Sequence, residues 1–210
     1  MAYQRARSPE RKRERTEALI EGARRVAARD GVHRVTLAAM AEEAGLTHSA
    51  VLRYFHSRNE VLLRLAGQGW TAWADRLEAA LTRTDTDGLA KIMVATLVAD
   101  PLFCDLLGNV PLHLEHDLPR EIVRSFKRTG NAALRRIVAA IDAAVPALDA
   151  AAAADLMSAT NALAGTLWQV CHPDPTLAEI YREEPALGHL PDDFAPLLER
   201  LIGATAKGLK

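Results

Sequence analysis

Cysteine is almost missing from this chain: two residues, Cys104 and Cys171, in 210. Thiols so few and so far apart make neither a disulfide framework nor a metal-knuckle spacing, which fits a reducing compartment and predicts a cytoplasmic protein. Aromatic residues are only 5% of the composition. The basic amino-terminal stretch has no aromatic stacking motif for single-stranded RNA, and the first helix has no Trp or Phe to seat in a bilayer. No uncharged run approaches the roughly 18 apolar residues of a membrane span. The candidate "AIDAAVPALDAAAAADLM" is broken by Asp and Pro. The start lacks the apolar stretch of a signal peptide. Sustained period-two alternation and Asn-Gly hairpins are absent, which argues against strands. No Gly-x-Ser-x-Gly elbow, phosphate loop or dinucleotide fingerprint occurs, which argues against the commonest enzyme sites. The net charge of −1 gives no whole-protein field toward a polyanion.

Hydrophobic residues make up 49% of the chain, enough for a substantial core. The charge is unevenly spread. Residues 1–60 carry 12 Lys/Arg against 8 Asp/Glu, and ten of those bases fall by Arg34, several in "RARSPERKRER". A basic segment ahead of an acidic body suggests a local polyanion contact. Nearly everything reads as helix. Ser8-Pro9-Glu10 is a cap, a first-turn proline and an acid. The helix that follows has Leu19, Ile20, Ala23, Val26 and Ala27 on one stripe and ends at Gly31. Thr36 caps a second helix with Leu37, Met40, Ala41 and Ala44 inward, stopped by Gly45 in a left-handed conformation. Thr47 caps a short third helix anchored by Val51 and Phe55. Ser57-Arg58-Asn59-Glu60 is a capping box opening a long fourth helix to about Leu81. "TRTDTDG" is a loop and a candidate domain seam. Helices are expected at about 88–99, from Asp100-Pro101, from near Ile122 to Pro146, at 149–171 and at 191–209. One helical turn is expected in the connection between the last two.

Thr36 to Tyr54 is two short helices joined by a Gly-Leu-Thr turn, the spacing of a helix–turn–helix whose second helix enters a major groove. The second helix opens on polar Thr47-His48-Ser49, which can donate to phosphate or base edges. The stretch "TLAAMAEEAGLTHSAVLRYFHSRNEVL" resembles the signature of the TetR family of transcriptional regulators. The likeness lies in Thr36, Ala41-Glu42-Glu43-Ala44-Gly45-Leu46, a small polar recognition-helix start, Tyr54-Phe55, and a basic residue before Glu60. It covers under a third of the chain; the remainder agrees in architecture only. The resemblance implies an all-α protein of about nine helices: a three-helix DNA-binding domain over 1–57 and a ligand-binding and dimerisation domain over 58–210. It assigns double-stranded operator DNA to Thr36, Thr47, His48, Ser49, Ala50, Arg53, Tyr54, His56 and Arg58, with Arg5, Arg7 and Arg11 tracking the groove or backbone. Two positions depart from the family. Leu52 stands where Tyr is common, and Arg58 where Lys is usual, turning a point donor into a fork.

The resemblance also implies a homodimer through helices at about 149–171 and 191–209. Phe194, Leu197, Leu198, Leu201, Ile202 and Thr205 form one stripe on the last helix. The 149–171 helix has two, Leu156-Thr160-Leu163-Leu167-Val170 and Met157-Ala164-Trp168-Cys171, so it needs covering on two sides. A small-molecule effector pocket is expected among Trp73, Phe103, Cys104, Leu107, His113, Phe126, Asn161 and Trp168, which mix apolar walls with sparse polar groups. His113 and His116 share a helix face, but four convincing metal ligands are not present, and neither a metal nor a cofactor is expected. The function implied is a ligand-responsive regulator, a repressor rather than an enzyme. The alternatives are an all-helical enzyme using His48/Ser49 or His113/Glu115, or an interaction module without DNA binding.

Overall fold

Residues 9–188 and 193–210 are described by the structure, a computed structural model. Their regular structure is helical throughout, in ten α-helices. These are α1 (Pro9–Asp30), α2 (Leu37–Glu43), α3 (His48–Val51), α4 (Arg58–Ala80), α5 (Thr86–Val98), α6 (Pro101–Asn109), α7 (Arg120–Ala144), α8 (Ala150–Cys171), α9 (Pro175–Glu183) and α10 (Phe194–Gly208). The expected caps at Ser8 and the helix start at Pro191 lie outside the described residues, as do Arg5 and Arg7. No described helix is long and apolar enough to cross a membrane.

Side-chain caps set most helix starts. Thr36, Asp85, Asp100, Asp149 and Asp174 each accept a hydrogen bond from a first-turn N–H. Asp85 starts α5 two residues before the expected Gly88, because its Oδ1 takes the Gly88 N–H at 2.8 Å. The same bond holds the Asp85 carboxyl below its ordinary range. Asp174 and Pro175 likewise start a full helix, α9, where a single turn is expected. α6 passes into a wide π-type turn over Val110–Leu114. Pro111 explains it: with no N–H, it leaves the Leu107 carbonyl without its α-helical partner.

Two apolar cores share α4. The first joins Leu19, Ala23, Val26, Met40, Val51 and Phe55 to Val61, Leu62 and Leu65, and draws in Leu106, Val110 and Leu114. The second gathers Trp73, Leu77, Met93, Phe103, Ile137, Leu156 and Ile202. The packing therefore changes within α4. The 82–88 loop, expected as a seam, is tied back by the Thr84 N–H to the Ala144 carbonyl at 3.0 Å. α4 packs along α7, α6 on α8, and α10 on α5 and α8.

The α10 stripe turns inward: Phe194, Leu197, Leu198 and Ile202 are buried within the chain. Both α8 stripes are mostly covered too, since Leu156, Thr160, Leu167, Met157 and Ala164 are buried. Two members of the first stripe, Leu163 and Val170, are half-buried, and beside them Ala162 and Thr166 are exposed.

α1 is fastened to α2 by Glu43, which takes Arg29 at 2.6 Å and Arg25 at 3.1 Å. These hydrogen bonds, Arg29 first, hold the Glu43 carboxyl below its ordinary range. A depressed carboxylate stabilises the fold above its unfolded pKa and loses that contribution as pH falls through its folded value. Thermal melts from neutral pH down to about pH 3 should show less acid destabilisation in Glu43→Gln than in the parent. The site is exposed, so the difference is small, and equal acid slopes would remove this role.

Candidate nucleic-acid interface and body cavity

α3 is one turn long, and the chain continues through a turn to Phe55. Val51 and Phe55, four residues apart, are both buried and anchor it on the first core. Gly45 makes the preceding bend at φ 63°, a conformation that favours glycine. Fixing that inner face leaves the rest outward. Thr36, Thr47, His48, Ser49, Arg53 and His56 are exposed, and Ala50, Tyr54 and Arg58 are half-buried. None of the nine residues assigned to DNA is fully buried. Leu52 stands among them, 54% exposed. Arg11, also assigned to DNA, is exposed on α1.

Several local roles differ from expectation. Thr36 caps α2, its Oγ1 accepting the Ala39 N–H at 3.1 Å. Thr47 has extended cap geometry, yet its hydroxyl pairs with Ser49 Oγ at 3.1 Å and caps nothing. Ser49 is therefore bonded to Thr47 and not to His48, so no Ser–His relay is formed in this geometry. Ser57 does cap α4, accepting the Glu60 N–H at 3.4 Å. The reciprocal arm reaches one residue further than in a standard capping box. The nearly buried Glu60 takes the His56 N–H at 3.0 Å and His56 Nδ1 at 3.1 Å, and it pairs with Arg64 at 3.1 Å. His56 is thereby oriented with the rest of its ring exposed. Arg58 uses its fork: one nitrogen donates to the His33 carbonyl at 3.2 Å, leaving others to face outward.

The candidate pocket residues separate. Leu107, Phe126 and Asn161 line one cavity of about 230 Å³ between α4, α6, α7 and α8. Trp73, Phe103 and Cys104 belong to solid core and do not border it. Phe103 packs on Trp70 and Trp73 with ring centroids 5.4 and 6.0 Å apart, and Trp73 donates to Thr96. Burial pushes the Cys104 thiol up to about 12, so it stays protonated at neutral pH. His113 is exposed on the π-turn, where its carbonyl accepts from Asn59. Trp168 stacks on His172 at 3.8 Å beside a separate cleft of about 910 Å³ near the end of α1. Among the described residues no cluster of three His, Cys, Asp or Glu could hold a metal.

Sequence reasoning missed Trp70, Glu115 and Lys127 in the cavity wall. It also missed Asp105, which ties α6 to the turn between α1 and α2. Asp105 Oδ2 accepts the Val32 N–H at 3.0 Å, while its Oδ1 accepts Gln169 Nε2 of α8 at 2.8 Å. The α6–α8 crossing that permits this bond is a contact of two glycines. A Cβ on Gly108 would lie 2.5 Å from the Gly165 carbonyl oxygen.

A family model described as "Bacterial regulatory proteins, tetR family" matches residues 19–65. A second, "Tetracyclin repressor-like, C-terminal domain", matches residues 67–210. No curated protein matches the chain significantly by sequence. Among solved structures, the chain is similar to the fatty acid degradation regulator FadR from Bacillus halodurans, with 16% identity, a TM-score of 0.54, and coverage of 93% of this chain and 94% of that one. It is also similar to the TetR family transcriptional regulator PfmR from Thermus thermophilus, with 14% identity, a TM-score of 0.58, and coverage of 91% and 98%. At such identities these two likenesses concern the fold alone.

Proposed function

Because the chain belongs to the TetR family of bacterial transcriptional regulators, we propose that it is a homodimeric repressor, released from a pseudo-palindromic operator by a small apolar or amphipathic molecule. The observation that carries the DNA reading is the division of α3 and its following turn. Val51 and Phe55 are spent on the core, so His48, Ser49 and Arg53 are free to be presented. In this reading His48, Ser49 and Ala50 face base edges, and Arg53 and Tyr54 contact backbone or bases. Thr36, Thr47, His56 and Arg58 meet phosphate. Two copies pair through α8 and α10, with Ala162, Leu163, Thr166 and Val170 of α8, which the chain leaves exposed or half-buried, against the partner.

Effector response follows from α6. Leu107 of that helix lines the 230 Å³ cavity, and Asp105, two residues earlier, grips Val32 beside the helix–turn–helix. A guest that shifts α6 acts directly on the DNA-facing part.

The test is binding of the full chain to the DNA upstream of its own gene. Replacing His48→Ala and Arg53→Ala together should weaken binding about a hundredfold or more, since each base or backbone contact contributes about 1–3 kcal/mol. The salt slope should also flatten as a phosphate contact is lost. Binding as tight and as salt-steep in the double variant would reject these site residues.

A further inference from the structure

We propose that the guest of the body cavity is a small organic cation, an amine or ammonium carried on an aromatic or short aliphatic body. The inference rests on reading that cavity as the effector site, and it specifies the guest's chemistry. At about 230 Å³, the space is below the roughly 300–1,000 Å³ of drug-sized pockets, so the guest is small. Trp70 and Phe126 give it aromatic walls.

The polar atoms decide the sign. Asn161 Oδ1 is buried and has no hydrogen-bond donor, and the buried Glu115 Oε1 has only the Lys127 ammonium beside it. Both are acceptors, so a guest that completes them must donate. The Lys127 ammonium already occupies the position such a guest would take. It pairs with Glu115 Oε1 at 2.6 Å and lies 5.8 Å from the centre of the Phe126 ring. That is an ammonium beside a carboxylate and over an aromatic face, supplied by the protein itself.

The pair is unequal in what each partner can surrender. The Lys127 side chain is 52% exposed and Glu115 only 20%. The lysine stem can swing its charge into water at little cost. Glu115 Oε1 stays behind, buried, together with the Asn161 oxygen. An arriving cation therefore replaces Lys127 against two waiting acceptors. An arriving anion would have to displace Glu115 and then face the Asn161 oxygen.

Three probes of matched size separate these cases: 2-phenylethylammonium, 2-phenylethanol and phenylacetate, titrated into the full chain without DNA and followed by tryptophan fluorescence. The ammonium should bind at millimolar concentration or below, the alcohol about tenfold more weakly, and phenylacetate more weakly still. Glu115→Gln should cost the ammonium about tenfold to a hundredfold and leave the alcohol unchanged. Lys127→Met should tighten the ammonium by removing its competitor. Asn161→Leu, a second removal of an acceptor, should weaken the ammonium if Glu115→Gln proves unfolded by circular dichroism. No binding of the ammonium, tighter binding of phenylacetate, or an affinity for the ammonium indifferent to these acceptor changes would overturn the proposal. Titrating the same probes into the protein–DNA complex separates the two readings. An ammonium that binds without releasing DNA counts against effector control through this cavity and leaves the cation site standing. DNA released by the carboxylate alone rejects the cation site and keeps the regulator.

Discussion

Gly165→Val should lower the stability of the chain by about 3 kcal/mol or more, near the upper end of overpacking costs. The reason is that the obstruction is backbone. A Cβ at Gly165 would stand 2.9 Å from both the Cα and the N of Gly108. A side chain in that position could rotate away, but a main chain can yield only by moving a whole helix. α6 and α8 would have to part, which would pull Asp105 from Gln169 and open the packing around Leu107 and Met157. For a chain of this size, such a loss corresponds to a fall in Tm of roughly 6–12 °C. Thermal unfolding by circular dichroism measures it. Gly208→Ala is the control, because a Cβ there meets nothing within 4 Å. A Gly165→Val protein that melts with the parent would mean that the close crossing does not exist.

The second large effect is expected at Glu60. Glu60→Leu should destabilise the amino-terminal core by about 2–4 kcal/mol and abolish tight DNA binding, while Glu60→Gln should do markedly less of both. The Glu60 side chain is only 4% exposed, yet it serves the His56 N–H, the His56 ring and Arg64 together. Leucine would fill the space and leave those donors without their acceptor. The turn they define joins the recognition helix to α4, so its loosening lets α3 tilt on the Val51–Phe55 anchor. Glutamine keeps an acceptor oxygen for the His56 N–H and loses mainly the charge. Urea unfolding and DNA titration of both variants check the ordering. Full DNA binding by Glu60→Leu would show that the bonds of Glu60 do not position the helix.

The sequence was informative where local chemistry decides the outcome. Apolar spacing in α1 and α2 marked Leu19, Ala23, Val26 and Met40, and all are buried. Thr36 and Gly45 act as their residue types suggest, one as an acceptor for Ala39 and one at φ 63°. Periodicity tells that a face is covered and is silent about what covers it. Hence the α10 stripe, legible as apolar, turned out to lie on its own chain's α5 and α8. The same limit applies to the cavity: Phe103 and Leu107 have the same helical character in sequence, yet one is packed on two tryptophans and the other lines a void. Glu115 and Lys127 meet because the chain turns back between α6 and α7, and nothing in the spacing of those two residues signals it. The glycines at 108 and 165 read as helix weakeners until the helices they belong to are seen to touch.

The double attachment of α6, to the cavity through Leu107 and to Val32 through Asp105, has a thermodynamic corollary. Coupling between two binding events runs equally both ways. If a guest loosens the grip on DNA by some factor, bound DNA loosens the grip on the guest by that factor. The protein seated on its operator is then a poorer receptor than the protein free in solution. The response threshold is a property of how many operators and how much free protein share the guest, as well as of the cavity itself.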